Sequence, residues 1–408
     1  MTTATLTSAT LVPAPAGAAP AERFLVPKAA LAVGLGFGAV ASLSVFMGPL
    51  EAAFGWSRAD LSMGYTLLTV GMAVGGLLWG ALADTRHLPR ILVGGAAALG
   101  LGLALASRVE SLVAYWAIAA GIGLLGFGAL YVPLCAVVGA RAGARRGLAL
   151  GLVTAGGAVG QGVLPIVAER LIALAGWREA FLVLGLAILA LLVPAMATIA
   201  PPAERERPPV PPDGARPAAP SAAPATLWLS AAAFFCCACM AVPLVHLVAL
   251  TCASGYAPST GAGLVALVML TGAASRIGVG ALADRVGGLA TYLGAGVLQT
   301  GSVLFFATSG SLAVMAPVGI VFGMGFAGTM TSLLVLVRES VPGEAVGRTT
   351  GIAGVFAWLG MGAGGALGGI VYDATGGYLA AFALAAVAGA VNVAILAGFG
   401  LARRRGAL

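Results

Sequence analysis

Charge is what this chain has least of. Asp, Glu, Lys and Arg make up 9% of its 408 residues, while 60% are hydrophobic. A soluble domain carries about 25% charged residues, so this composition cannot cover a water-soluble surface, and a membrane protein is required. Histidine occurs twice and lysine once, as Lys28. Two histidines, no paired carboxylates within the apolar runs and no ligand cluster leave catalysis without support, so the chain does not read as an enzyme and needs no cofactor. Five cysteines lie inside apolar runs, at Cys135, Cys236, Cys237, Cys239 and Cys252. Three neighbouring thiols on one helix do not face one point and no histidine sits beside them at ligand spacing, so no metal site is expected. They read as small packing residues. Glycine is plentiful, but no strand precedes the glycine runs and no Lys-Ser or Lys-Thr follows them, which excludes nucleotide loops.

What is present is a series of long apolar runs. A hydrocarbon core about 30 Å thick takes about 20 apolar residues per helix. The runs are continuous rather than alternating, which selects helices over a barrel. Twelve spans are predicted, over residues 28–50, 61–83, 91–107, 111–139, 147–174 and 177–199, then 227–253, 258–283, 289–308, 311–337, 347–371 and 377–401. Residues 1–22, rich in Ala, Thr and Pro without a basic start, read as a disordered tail and not a cleaved signal. Residues 200–225 read as a polar, Pro-rich linker. The expected organisation is one six-helix bundle over 23–199, a second over 226–402, and a short basic tail at 403–408.

The pentapeptide GALAD supports that division. It occurs at Gly80–Asp84 and again 200 residues later at Gly280–Asp284, each time closing an apolar run and followed by an arginine, Arg86 or Arg285. The same offset relates Gly55-Trp56 to Gly255-Tyr256, Gly123 and Gly128 to Gly323 and Gly328, and Gly176 to Gly376. A period of half the chain indicates a duplication rather than a solenoid.

With twelve spans both termini share one side. Arg276 aside, every lysine and arginine except Arg58, Arg108 and Arg178 in the opposite loops, and Arg170 near their face, falls on that side. The positive-inside rule makes it cytoplasmic, in a multi-pass protein of the inner membrane. The net charge of +7 is then a matter of topology and not a nucleic-acid signal.

An ionisable group in a membrane helix needs a reason. Arg276 lies in the eighth span, eight residues before Asp284, so about 12 Å from the end of the helix. One turn away on either side stand Gly272 and Gly280, not acids. One reading is a bidentate clamp for a substrate carboxylate; the other is snorkelling, or pairing with an acid or carbonyl on another helix. His246, mid-span in AVPLVHLVAL, either meets substrate or a proton, or bonds a neighbouring helix. Tyr131 and Gln161 are further polar groups at mid-span, and Phe46, Phe356 and Trp358 would supply apolar walls or pack elsewhere. Acids are scarce: Glu51, Glu169 and Asp373 lie near the outer ends of their spans, so no proton carrier is evident. Glycine runs at 156–162 and 360–369 occupy corresponding spans and suit either helices that rock over partners or static close packing.

GALADTRHLPR (80–90) and GALADRVGG (280–288) resemble the loop signature of the major facilitator superfamily and its echo in the second half. The resemblance covers nearly the whole chain. It implies two six-helix bundles about a central cavity, all α, working by alternating access. It also implies a cytoplasmic gate in which Asp84, with Gly80, Arg86 and Arg90, closes against the start of the eleventh span near Arg348, and in which Asp284, Arg285 and Gly280 do the same near Arg146. LEAAFGWSRADLS (50–62), RRGLALGLVTAGGAVGQGVLP (145–165) and GWREAF (176–181) are similar to bacterial members of the monocarboxylate porter and oxalate/formate antiporter group. There an arginine four residues before the loop glycine binds the carboxylate, and Arg276 stands four before Gly280. An aromatic or polar residue before the proline of the fourth span contributes, and Tyr131 stands two before Pro133. Two departures matter: Gly272 replaces the aspartate of the animal carriers, and residues 347–371 lack the lysine of the oxalate exchangers. One buried positive charge suits a monoanion better than a dicarboxylate.

The expected function is therefore secondary transport of small organic monoanions, by proton coupling or anion exchange, in a protein that works as a monomer in the lipid bilayer. The alternative is an exporter of drug-like or other hydrophobic compounds on the same fold; a receptor would need a sizeable extramembrane domain, which the runs do not leave room for.

Overall fold

The computed structural model describes residues 24–82, 86–142, 146–201, 222–342 and 345–405. The expected tails, most of the linker and Asp84 lie outside the described residues, as does the side chain of Arg146.

Twelve helices are long and apolar enough to cross a membrane. They are α1 (Leu25–Phe54), α2 (Arg58–Gly80), α3 (Leu88–Ala106), α4 (Leu112–Arg141), α5 (Arg146–Ala175) and α6 (Trp177–Ala197), followed by α7 (Ala223–Ala253), α8 (Pro258–Val286), α9 (Gly288–Ser309), α10 (Leu312–Ser340), α11 (Val346–Thr375) and α12 (Tyr378–Arg404). All twelve predicted spans are present. The starts shift where capping chemistry acts. Residue 61 is the predicted start of the second span, but Ser57 and Asp60 form a reciprocal capping box that begins α2 at Arg58 and draws that arginine into the first turn.

The duplication is visible in the backbone. Gly55 and Gly255 have φ of 68° and 88°, and Gly176 and Gly376 have φ of 92° and 71°. Both pairs are 200 residues apart, and each sits where a helix ends or the next begins, in a conformation that L side chains rarely adopt.

Within the first half, α1 lies on α5 and α3 on α6; within the second, α7 packs on α11 and α12, and α9 on α10. The α1–α5 crossing brings backbones together, because a Cβ on Gly156 would stand 2.5 Å from the Ala30 carbonyl oxygen and one on Gly160 would overlap the Gly34 carbonyl. Without side chains at the contact, the two helices gain close van der Waals packing, which is what holds helices together in lipid. The halves meet mainly through α2 against α11 and α5 against α8, with α1 touching α7.

One stripe of α11 shows how the halves are tilted. Residues 347, 351, 354, 358, 362, 365 and 369 recur at helical spacing and face one way. At the far end, a Cβ on Gly369 would stand 2.5 Å from the Arg58 carbonyl oxygen of α2, and one on Gly365 2.7 Å from the Tyr65 ring. The Thr66 hydroxyl of α2 donates to the Gly362 carbonyl at 2.8 Å. At the near end, Gly347, Gly351 and Gly354 would meet nothing within 4 Å. Gly151 of α5 and Gly278 and Gly280 of α8 are equally open at that end. The halves are therefore closed together at the face opposite the chain ends and splayed apart at the face where α1 begins and α12 ends. Trp358 stands at the middle of the stripe, between the closed and the open parts.

Candidate functional site

The centre of the site is an aromatic group drawn from three helices. In α4, residues Ile122–Phe127 form a π turn rich in glycine, and its Leu124 carbonyl accepts from Trp79 Nε1 at 2.8 Å. A π turn changes the phase of the residues after it and is frequent at functional sites. Beyond it, Phe127 and Tyr131 lie one turn apart and both meet Phe37 of α1, with ring centroids 4.8 and 5.3 Å away. Trp358 of α11 stacks on Phe37 at 5.9 Å and meets the Tyr131 ring edge-on at 6.4 Å. The Phe37–Trp358 pair joins the two halves where the closed face ends.

Arg276 faces this group. Its guanidinium extends from α8 of the second half toward the first, where Nη1 donates to the Thr154 carbonyl of α5 over a long 3.4 Å. Its Nε is buried and has no partner among the described residues. Tyr131 lies within electrostatic range of it. The ion pairs among the described residues are Arg58–Glu51 and Arg170–Glu169, so no described carboxylate neutralises Arg276. A guanidinium offers five donors; here one long bond to a neutral carbonyl is what they receive, in a cleft that opens toward the splayed face. That arrangement has unused capacity for a planar anion. Gln161, half-buried, stands seven residues from Thr154 on α5, about two turns on and on the same face.

The structure thus brings together Arg276, Tyr131 and Trp358 and places Gln161 on an adjoining face. Other sequence candidates lie elsewhere. Phe46 is 1% exposed and stacks on Phe181 at 3.7 Å, inside the first half between α1 and α6. Its apolar burial makes it a core residue: Phe46→Ala should lower stability by about 3–5 kcal/mol, read as a fall in thermal unfolding temperature, and leave ligand affinity unchanged. Phe356 is two residues from Trp358, so it points about 200° away round α11, and it is 37% exposed. His246 is fully buried; Nε2 donates to the Gly365 carbonyl at 3.0 Å and lies 3.5 Å from Ser62 Oγ. It sits in the closed face, bonded to a neighbouring helix, and not beside Arg276.

The gate residues also separate. Gly80 is close-packed, since a Cβ there would stand 2.8 Å from Val132 of α4, whereas Gly280 faces open space. Arg86, Arg90, Asp284, Arg285 and Arg348 are exposed. No ion pair among the described residues joins the halves at the splayed face. The expected latch needs the halves together at that end, and here they stand apart.

Phe37 and the Thr154 carbonyl have no counterpart among the residues expected from the sequence. Phe37 is an aromatic in the run GLGFGAV, and a bulky ring among small residues was the available signal. A main-chain acceptor carries no signal at all.

Comparison with known proteins agrees with the fold. A bacterial homolog of the human lysosomal transporter Spinster, in an inward-facing and occupied conformation, superposes with a TM-score of 0.72 at 15% identity over 95% of this chain and 98% of that one. A mutant of the nucleoside transporter NupG gives 0.73 at 14% identity over 92% and 99%. In sequence, the MFS transporter asaE of Aspergillus flavus is 28% identical over 340 residues, 79% of this chain and 74% of its own. Monocarboxylate transporter 1 of Rattus norvegicus is 26% identical over 161 residues, 40% of this chain and 33% of its own. The family model of the Major Facilitator Superfamily matches residues 29–362. With most of its length inside that match and its twelve helices in the corresponding arrangement, this chain belongs to the major facilitator superfamily of membrane transporters.

Proposed function

We propose that this transporter carries small organic monoanions, monocarboxylates foremost, across the inner membrane by alternating access, coupled to protons or to a counter-anion. The observation that carries the reading is Arg276: a guanidinium between the halves, with a buried Nε lacking a partner and no carboxylate beside it among the described residues. A single fixed charge balances one carboxylate. The Tyr131 hydroxyl is the second polar group of the site, and Phe37 and Trp358 face the body of the substrate. The partial likeness to a monocarboxylate transporter supports the same class. With the chain ends placed in the cytoplasm, as the distribution of arginines suggests, the splayed face is the inner one and the state is inward-open.

Purified protein in proteoliposomes, given an inward proton gradient or preloaded with a carboxylate, should accumulate a labelled monocarboxylate and not the matching amide. Accumulation of hydrophobic cations with no carboxylate flux would replace this reading with that of an exporter. Tyr131→Phe should keep transport but weaken the apparent affinity about tenfold or more, the worth of one hydrogen bond to a charged group; a change in maximal rate alone would remove the hydroxyl from the site.

A further inference from the structure

The closed face is held by a polar assembly that the transport reading does not use. Its parts come from both halves. The carboxylate of Asp373, at the last turn of α11, accepts from the backbone N–H of Arg58 at 3.2 Å and from that of Ala59 at 2.7 Å. These are the first two amides of α2, so an acid of the second half caps a helix of the first. The same turn is already closed by its own capping box, with Ser57 N donating to Asp60 at 3.2 Å and Asp60 N to Ser57 Oγ at 3.1 Å. A helix needs four donors satisfied at its start; here the local box serves two, and Asp373 takes two that the box leaves.

The Arg58 side chain runs the other way across the same seam. Glu51 of its own half accepts from Nε and Nη2, each at 3.0 Å. Nη1 donates to the Tyr378 hydroxyl of α12. The guanidinium lies over the Tyr372 ring at 4.6 Å and near the Tyr378 ring at 5.5 Å. Each half thus contributes an acid and a partner: Glu51 steers Arg58 into the Tyr372–Tyr378 pair, while Asp373 grips the start of α2. Beneath them a Cβ on Gly369 would strike the Arg58 carbonyl, so the backbones are already in contact.

We propose that Asp373 is a positioning residue of the transport cycle: its carboxylate, bonded to the first amides of α2, is the latch that holds the outer face shut, and its release permits the outward-open state. The motifs GWSRADL (55–61) and YDATGGY (372–378) are the two sides of this latch. The assignment does not depend on the identity of the substrate. Both bonds are charge-assisted and aligned with the helix dipole, and both must break when the outer ends of α2 and α11 part.

The test is the distance between the outer ends of the two halves. Nitroxides placed at residue 110, before α4, and residue 309, at the end of α9, would report it; both positions are exposed. They would be carried on noncanonical side chains so that the native cysteines remain, and read by double electron–electron resonance in lipid nanodiscs. Asp373→Asn should raise the ratio of the longer-distance population to the short one by about 10- to 100-fold. Asp373→Glu, which keeps the charge, should recover most of the short population. Tyr378→Phe, a mild change that removes the Arg58 acceptor and leaves the rings, should shift the ratio the same way by less. An unchanged distribution in Asp373→Asn overturns the proposal. So does an equal shift in Asp373→Asn and Asp373→Glu accompanied by loss of thermal stability, which would mark a merely structural residue.

Discussion

Arg276→Lys is expected to abolish monocarboxylate transport while leaving a folded, monodisperse protein. Lysine keeps the charge but loses the planar fork that pairs two donors with the two oxygens of a carboxylate. Its shorter reach across the cleft also loses the Thr154 carbonyl, the bond that now orients the guanidinium. Arg276→Gln removes the charge as well. Losing the bidentate pairing in Arg276→Lys, and the charge with it in Arg276→Gln, removes contacts worth several kcal/mol in a partly buried site, so both variants should fall at least about 100-fold in transport at fixed substrate concentration. Folding should survive, because Arg276 has no ion-pair partner among the described residues whose charge would be stranded by the change. Counterflow in proteoliposomes measures the first expectation and thermal unfolding the second. Normal counterflow by Arg276→Lys would mean that the arginine serves packing or orientation in the membrane and that substrate binds elsewhere.

Gly160→Val carries the largest expected effect on stability. Its Cβ would overlap the Gly34 carbonyl, a main-chain group that cannot rotate away. The α1–α5 crossing would have to spread, forfeiting contacts along the whole interface. Overpacking of a core costs about 1–3 kcal/mol and more where backbone is struck, and here both sides of the contact are backbone. The result expected is little or no folded protein after extraction. Gly151, on the same helix, is the internal control: a Cβ there meets nothing within 4 Å. Gly151→Ala should be neutral, or stabilising by up to about 1 kcal/mol through helix propensity. Equal thermal stability in Gly160→Val and Gly151→Ala would show that the crossing is looser than its geometry indicates.

The two glycine positions also show what could be read from the sequence and what could not. The number of helices, their approximate ends and the two-fold division follow from apolar runs and the repeated GALAD, because membrane thickness sets a length and duplication sets a period. A glycine run, by contrast, says that something comes close, not what. The run at 156–162 packs α5 on α1 within one half, while the run at 360–369 serves α7 on one side and α2 of the other half on the other. Both runs touch the seam that must open, the first only at its last glycine, where a Cβ on Gly162 would stand 3.4 Å from Met269 of α8, and the second along much of its length.

Single buried charges were legible for the same reason as the helices. An arginine in an apolar run is costly unless used, so Arg276 stands out by composition alone. Aromatics carry no such penalty. Phe46, Phe356 and Trp358 are equivalent in sequence, and helical phase plus partner helices separate them into a core residue, a residue pointing away and a member of the central group. Phe37 joins that group because the π turn of α4 aims Phe127 and Tyr131 at it, and no periodicity in the sequence announces a π turn. The partners of Asp373 and His246 are hidden for a related reason: the sequence places Asp373 near the outer end of its span and leaves His246 between a substrate contact and a bond to a neighbouring helix. Depth along one helix is readable from residue counts, but the neighbour at that depth is set by how two halves tilt, which is a property of the state rather than of the chain.

The tilt gives the gate residues their meaning. Asp373 stands to the start of α2 as the family resemblance has Asp84 stand to the start of α11: Asp373 lies in the last turn of its helix and Asp84 follows the apolar run of the second span, and each is set toward the beginning of the other helix of the pair. The described members of the set at the splayed face are apart while the set at the closed face is engaged, as expected of a carrier closed on one side at a time.

Transport of monocarboxylates by this chain requires that a carboxylate bind Arg276 between the halves. Thermal unfolding of purified wild-type protein with a panel of monocarboxylic acids, each paired with its amide, and the same titrations on Arg276→Gln, address it directly. At least one acid should stabilise the wild type in a saturable way, its amide should not, and Arg276→Gln should lose the difference between them. Equal stabilisation by acid and amide, or an acid response that survives in Arg276→Gln, would contradict carboxylate binding at Arg276.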